Sequence, residues 1–350
     1  MTKPFLFVTG NSGGHVYPAL ALAECLNTES CTFVINQNKT SSFLLKNYPY
    51  SKLEINEEGL LSIIKNFFIA YVFFKRRSPH ILIATGARTT IPFVIAAYFN
   101  KCPIFLLEQN VIPGRSNRLL QFFAKKIFLS FKESSSYFFQ SKKIFISGNP
   151  IREKLPKVSE EFLKNIDFKY SQTLLVIVGS QGSFSLNNFF LQNQANFSNK
   201  NLNLIVCCGD KFFKKFWPKK KIYTFYNQHK VTSIFLPYVH DIQSLYLLSD
   251  LIVCRAGATT ISELIYYQKK AILIPYPYAK DNHQLYNAKA ISYKKHFNYI
   301  QEKDLSFTSF MVALSKTTHN TEKGNNNPNQ TIIEEIKKLT YKNLIFMIYF

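Results

Sequence analysis

Glycine is scarce in this chain, and its placement limits what the chain can fold into. Of twelve glycines, Gly10, Gly13, Gly14, Gly86, Gly114, Gly148, Gly179, Gly182, Gly209 and Gly257 lie at or just beyond the ends of predicted strands. Glycine lets backbone turn sharply and approach a ligand closely. A glycine-poor chain that keeps it there uses it in ligand-facing loops. Two of the clusters have the character of phosphate loops and sit in opposite halves. The expectation is two nucleotide-type domains facing one cleft.

Short apolar runs at 5–9, 31–36, 81–84, 104–107, 126–129 and 143–146 read as buried strands, separated by helical patterns at 18–27, 60–77 and 89–99. The second half repeats the alternation, with strands at 174–178, 202–207, 233–236, 251–254 and 271–274. Strands alternating with helices predict an α/β fold of parallel, doubly wound, Rossmann-like sheets. The domains are placed at 1–150 and 171–316, with linkers at 151–170 and 317–330. A last helix is expected over 331–350, where Ile332, Ile333, Ile336 and Leu339 share a face and would return to the first domain.

At 350 residues and 47% apolar content, the chain is long enough for two cores and is not disordered. A formal charge of +22 fits an anionic membrane surface, a phosphorylated substrate or a nucleic acid, or is compositional drift toward lysine. The basic residues are spread out, without an aromatic-interleaved patch, which argues against nucleic acid. Cys25, Cys31, Cys102, Cys207, Cys208 and Cys254 form no C-x-x-C pair and read as core residues of a reducing cytosol. The early strand leaves no room for a signal peptide, and no apolar run is long enough to span a bilayer.

The first strand runs into Gly10-Asn11-Ser12-Gly13-Gly14-His15-Val16-Tyr17-Pro18. A strand, a glycine turn and a helix with proline in its first turn make an anion-binding geometry. His15 reads as a general base, an oxyanion donor or a helix cap. Val178-Gly179-Ser180-Gln181-Gly182-Ser183 is a second such junction, suited to a diphosphate. Arg255-Ala256-Gly257-Ala258-Thr259-Thr260 opens another helix with small residues, hydroxyls and an arginine. Glu263, one turn in, either accepts both hydroxyls of a ribose or favours the helix dipole. Glu108-Gln109-Asn110 with Pro113-Gly114, Asp281-Asn282-His283-Gln284, and Gly148-Asn149-Pro150-Ile151-Arg152 complete the polar clusters.

Together these pieces resemble the MurG-type glycosyltransferases. The matching stretches are SGGHVYPALALA, EQN followed by PG and Asn117, GNPIR, GSQG, LPYVHDIQSLYLLSDLIVCRAGATTISE and HQLYNA, in the family's order over 8–290. The resemblance implies a GT-B fold with the acceptor on the N-terminal domain and the nucleotide on the C-terminal one. It implies transfer of N-acetylglucosamine from UDP-N-acetylglucosamine to lipid I, giving lipid II with inversion. Ser12, Gly13 and Gly14 would line the first loop, with His15 as the base. Asn110 would meet the donor sugar, and Arg152 and Ser180 the UDP side. The Val239 backbone would read uracil. Ala258, Thr259 and Thr260 would hold the diphosphate, Glu263 the ribose, and Gln284 sugar or ribose hydroxyls. No Asp-x-Asp motif occurs, so neither a metal nor another cofactor is expected. The family's second glycine loop, G-G-Y-x-S-G-P, is largely lost at Thr85-Gly86-Ala87-Arg88-Thr89-Thr90-Ile91-Pro92.

Competing readings are another GT-B UDP-sugar enzyme (a glycolipid synthase or epimerase) and a non-catalytic UDP-sugar-binding remnant. The 60–77 helix carries Ile63, Ile64, Phe67, Phe68, Tyr71 and Phe74 on one apolar face, closed by Lys75, Arg76 and Arg77. It reads as a core helix of the sheet or as an interfacial seat on anionic lipid. The second reading places the protein peripherally on the cytoplasmic face of the inner membrane.

Overall fold

The computed structural model of the chain describes residues 5–26, 30–37, 40–56, 59, 61–79, 81–152, 167–179, 182–220, 222–227, 230–237, 239, 242–318 and 327–348. It contains two compact units, Met1–Glu153 with Asn326–Phe350, and Lys154–Asn325. Most of the linker expected over 151–170 lies outside the described residues, as does 319–326 of the second.

The first unit is built from β1 (Phe5–Val8), α1 (Gly13–Glu24), β2 (Cys31–Asn36), α2 (Thr40–Leu45), β3 (Ser51–Ile55), α3 (Leu61–Arg77), β4 (Ile81–Ala84), α4 (Thr90–Phe99), β5 (Ile104–Glu108), α5 (Arg115–Leu120), β6 (Lys126–Leu129) and β7 (Ile144–Ile146). Its seven strands form one sheet in the order β3-β2-β1-β4-β5-β6-β7, every neighbouring pair parallel. The inner strands read as unbroken apolar runs because helices cover both faces of a parallel sheet. Phe7, Phe33, Ile83 and Phe105 pack on one face, and Leu6, Val34, Leu82 and Leu106 on the other. The strand missed by the sequence reading, β3, alternates Lys52 and Glu54 outward on the sheet edge, so it shows no continuous apolar run.

Two helices differ from expectation. The helix predicted over 18–27 starts earlier, at Gly13, so Pro18 lies inside it rather than in its first turn. Proline removes one backbone bond there. Burial of Val16, Ala19, Leu20, Leu22 and Ala23 against the sheet outweighs that loss. On α3 the apolar face is rotated from the predicted one. Phe74 is buried, and Phe67 and Tyr71 pack against the core, while the outward stripe is Leu61, Ile64, Phe68 and Val72, at 79, 58, 60 and 45% exposure. The buried line is Ser62, Asn66, Ala70 and Phe74, small enough in its first three members for α3 to lie close to its neighbour α4.

The second unit comprises β8 (Gln172–Ile177), α6 (Phe184–Gln192), α7 (Gln194–Asn199), β9 (Leu202–Cys207), α8 (Asp210–Phe216), β10 (Tyr223–Asn227), β11 (Lys230–Leu236), α9 (Ile242–Leu248), β12 (Leu251–Cys254), α10 (Ala258–Tyr266), β13 (Ala271–Leu273), α11 (His283–Ile291), β14 (Phe297–Tyr299) and α12 (Phe307–Lys316). Its sheet runs β10-β11-β9-β8-β12-β13-β14, parallel except for β10 against β11. The strands missed here, β10 and β14, are both edge strands, and β14 is only three residues long. A Phe-rich core of Phe190, Phe197, Phe212, Phe235 and Phe310 fills one face.

The last helix, α13 (Pro328–Ile348), begins at Pro328 rather than at 331. Proline fits a helix start because its missing N–H has no partner there anyway. Ile332 and Ile336 enter the first unit's core with Phe7, Val16 and Phe33. Asn329 fixes the junction: its Oδ1 accepts the Ile151 N–H at 3.0 Å and its Nδ2 donates to the Ile151 carbonyl at 2.8 Å. Five cysteines are buried, while Cys25 is exposed at the end of α1, against the expectation that all six are core. Burial pushes the Cys102, Cys208 and Cys254 thiols up to about 12, so they stay neutral packing groups. Among the described residues no helix is long and apolar enough to cross a membrane.

Candidate active site

In each sheet the strand order reverses at one point, between β1 and β4 in the first unit and between β8 and β12 in the second. Loops diverge there, and doubly wound sheets bind ligands at that place, beyond the carboxyl ends of the strands. Ser12, Gly13, Gly14 and His15 follow β1, and Ala258, Thr259, Thr260 and Glu263 follow β12, at these two positions.

In the first unit the turn after β1 delivers Ser12 to the α1 N-terminus, where its carbonyl accepts the His15 and Val16 N–H groups at 3.0 and 3.1 Å. His15 Nδ1 lies 2.7 Å from the Thr85 carbonyl, just past β4. A carbonyl only accepts, so Nδ1 carries the proton and Nε2 is the acceptor nitrogen of the neutral ring. Gly10 permits this approach, since a Cβ there would lie 2.7 Å from both His15 Cδ2 and Ala87 Cβ. Ser12 and Gly14 are exposed, Gly13 and His15 half-buried.

The loop whose family pattern is lost still takes the glycine path. Gly86 has φ +90° and Ala87 φ +75°. A left-handed conformation costs an L-residue roughly 1–2 kcal/mol, and glycine's extra chain entropy returns about 0.5–1 of that. Ala87→Gly is therefore expected to leave stability unchanged or raise it by up to about 1 kcal/mol in urea unfolding, and Ala87→Val to lower it by more than that, because branching at Cβ worsens a positive φ. Equal stability of the glycine and valine variants would contradict the strain at this position. Arg88 Nη2 donates to the Gly59 carbonyl at 2.8 Å.

Asn110 is carried by a loop that Glu108 organises. The buried Glu108 carboxylate accepts the N–H groups of Asn110 and Gly114, each at 3.0 Å, and Asn117 Nδ2 at 2.9 Å. Burial raises its pKa, and these three donors oppose the rise. Asn117 also packs against Gly86, so the loops after β1, β4 and β5 meet. Arg152 belongs to this unit too, its guanidinium 4.4 Å from the Tyr17 ring on α1.

In the second unit Ser180 and Gln181 lie outside the described residues. The Gly182 N–H donates to the Gly179 carbonyl at 3.0 Å. Gly182 and Gly209, at φ +74° and +79°, press backbone to backbone, and a Cβ on Gly209 would sit 3.0 Å from Gly182 Cα. Across the strand-order reversal, Ala258 is buried while Thr259 and Thr260 are half-exposed in the first turn of α10. Glu263 is buried and its Oε2 accepts the Tyr246 hydroxyl at 2.9 Å. Gln284 Oε1 accepts the Tyr276 N–H at 2.9 Å, and His283 Nδ1 lies 2.8 Å from the Lys280 carbonyl. Val239 is half-buried beyond β11. Arg255, which reads from sequence as phosphate-ready, is turned inward. It donates to Ser183 Oγ at 2.7 Å and pairs with Glu302 at 2.6 Å.

The sequence reading passed over Thr85, Asn117, Ser183, Tyr246 and Glu302 as contributors. Thr85, Asn117, Ser183 and Tyr246 stand within quoted motifs, whereas Glu302 follows a short edge strand and carries no motif signal.

Two Rossmann-like halves with glycine turns at both strand-order reversals define a GT-B glycosyltransferase architecture. The profile described as the glycosyltransferase family 28 N-terminal domain matches residues 5–129, and that of the family 28 C-terminal domain matches 173–342. The second match runs on into α13, which packs in the first unit. The chain is 33% identical over 319 residues to the UDP-N-acetylglucosamine–N-acetylmuramyl-(pentapeptide) pyrophosphoryl-undecaprenol N-acetylglucosamine transferase of Caldanaerobacter subterraneus, covering 86% of this chain and 87% of the relative. The transferase of the same name from Lawsonia intracellularis is 34% identical over 295 residues, covering 80% and 79%. Acinetobacter baumannii MurG shares the fold at TM-score 0.70 and 22% identity, over 95% of this chain and 98% of that one. A UDP-GlcNAc 2-epimerase from Methanocaldococcus jannaschii shares it at TM-score 0.63 and 13% identity, over 95% and 99%. The chain belongs to glycosyltransferase family 28, among its MurG-type members.

Proposed function

We propose that the chain moves N-acetylglucosamine from UDP-N-acetylglucosamine to the 4-hydroxyl of the N-acetylmuramoyl unit of lipid I, forming lipid II. The observation that carries this reading is identity of 33% over 319 residues to a transferase so named. The local geometry supports it. His15 Nε2 takes the proton of the acceptor hydroxyl as that oxygen attacks the anomeric carbon from the face opposite UDP. Inversion follows from the single displacement. Asn110 meets the donor sugar, and Ser12, Gly13 and Gly14 line the loop beside the acceptor. The leaving diphosphate develops charge, which the α10 N-terminus at Ala258, Thr259 and Thr260, with Ser180 and Arg152, stabilises. Glu263 takes the ribose hydroxyls, Gln284 a sugar or ribose hydroxyl, and the Val239 backbone the uracil. The test measures UDP release from UDP-N-acetylglucosamine with and without a lipid I analogue. Release dependent on the acceptor, with a β-linked product, supports the reading; epimerised UDP-sugar without transfer overturns it.

The acceptor's polyprenyl chain holds it in a membrane, so the enzyme must work at that surface. The outward stripe of Leu61, Ile64, Phe68 and Val72 beside Lys75, Arg76 and Arg77 suits peripheral seating on the anionic cytoplasmic leaflet. Tyr98 and Phe99 on α4 are also exposed, and Phe99 meets Phe67 of α3 edge-on at 6.4 Å. Co-sedimentation with anionic vesicles is expected to fall with salt, and to fall in a variant combining Phe68→Ser with Lys75→Glu, Arg76→Glu and Arg77→Glu. Equal sedimentation of wild type and variant would remove α3 as the membrane contact.

A further inference from the structure

We propose that Glu302 is a positioning residue for the nucleotide-sugar site, acting through Arg255 on the two turns at the strand-order reversal of the second unit. The proposal rests on the donor reading above. Arg255 follows β12 and precedes the turn into α10. Its Nη1 donates to the Ile274 and Pro275 carbonyls at 3.2 and 3.4 Å and lies 2.6 Å from Glu302 Oε2. Its Nη2 donates to Ser183 Oγ at 2.7 Å, and its guanidinium stands 5.4 Å from the Tyr276 ring. Ser183 is the N-cap of α6 and accepts the Leu186 N–H. Glu302, on the turn after β14, also accepts a hydrogen bond from Ser185 in the first turn of α6. One ion pair therefore joins the start of α6, the approach to α10, the end of β13 and the turn after β14.

The two side chains are only 11 and 19% exposed, so water screens the pair weakly. Truncating one partner of such a pair leaves the other charge poorly compensated. Without Glu302 the guanidinium keeps only neutral acceptors, and its plane is no longer set by a carboxylate. Ser185 then loses its acceptor, and Ser183 keeps a guanidinium that no carboxylate holds in place. A helix N-terminus serves an anion best when its amides are aligned before the ligand arrives. Because Glu302 neutralises Arg255, the pair contributes geometry rather than net positive field. The diphosphate charge is left to the α10 N-terminus and Arg152.

The experiment uses the full chain as wild type, Glu302→Ala and Glu302→Gln. Hydrogen exchange of the ligand-free protein reports on 182–186 and 255–260, and calorimetry reports UDP affinity. In Glu302→Ala, exchange in those two segments is expected to rise at least about fivefold, with β4 and β9 unchanged. UDP affinity should fall about tenfold, with the Michaelis constant for the acceptor unmoved. Glu302→Gln keeps an acceptor oxygen and should recover most of both losses. Unchanged exchange at the two turns, or a rise spread evenly through the second unit, overturns the proposal. A wild type that binds no UDP defeats the donor reading instead, while the exchange measurement still decides the role of Glu302.

Discussion

Replacing His15 with alanine is expected to lower turnover by about 10²–10⁴-fold, the usual contribution of a positioned base, while leaving affinity for UDP-N-acetylglucosamine nearly intact. The argument starts from a backbone oxygen. The Thr85 carbonyl 2.7 Å from Nδ1 fixes which nitrogen holds the proton, and so presents Nε2 as the acceptor. Gly10 leaves room for the ring in this position, since a Cβ there would lie 2.7 Å from His15 Cδ2. A base held this way acts on the acceptor hydroxyl and has no part in binding uracil, ribose or diphosphate, whose proposed ligands, Arg152 apart, lie in the second unit. The split between the two readouts is therefore the test. Single-turnover transfer is measured beside donor calorimetry for wild type, His15→Ala and His15→Gln. Glutamine cannot take up a proton, so it should be as slow as alanine. Near-normal turnover in either variant would leave His15 as a helix cap. A parallel loss of donor affinity would place it in binding rather than proton transfer.

The parts of this fold legible in the sequence are those fixed by burial. Inner strands such as β1, β4, β9 and β12 are covered on both faces and announce themselves as apolar runs. Edge strands do so less: β3, β10 and β14 show no such run, although the edge strand β7 does. Helix positions were less legible. A proline inside α1 looks like a start signal until the buried residues around it are counted. The outward face of α3 depends on which neighbour it packs against, and periodicity alone does not say. Motif residues at the site were readable because glycine and small residues mark backbone approach. Their partners were not: Thr85 acts through its carbonyl, Ala87 holds a glycine conformation without being glycine, and Glu302 reaches Arg255 from 47 positions away in sequence (302 minus 255). Such contacts come from sheet topology, which sets turns side by side that the chain keeps far apart.

Glu263→Ala is expected to weaken UDP binding by about 1.5–3 kcal/mol, the worth of a hydrogen bond to a charged group. The carboxylate is buried at the sixth residue of α10 (Ala258 being the first), too far along for the helix dipole alone to explain it. One of its oxygens already accepts the Tyr246 hydroxyl at 2.9 Å, which orients the group before any ligand arrives. A carboxylate so held suits a ribose, whose adjacent hydroxyls both donate. Alanine also strips Tyr246 of that acceptor, so lost affinity by itself would not separate ribose binding from local damage. A cycle with 2′-deoxy-UDP does. Wild type should bind the deoxy ligand more weakly than UDP, whereas Glu263→Ala should bind the two almost alike. Tyr246→Phe should keep the discrimination, since it removes the orienting hydroxyl but leaves the carboxylate. If Glu263→Ala still penalises the deoxy ligand as strongly as wild type does, the ribose is held elsewhere and Glu263 serves only its bond to Tyr246.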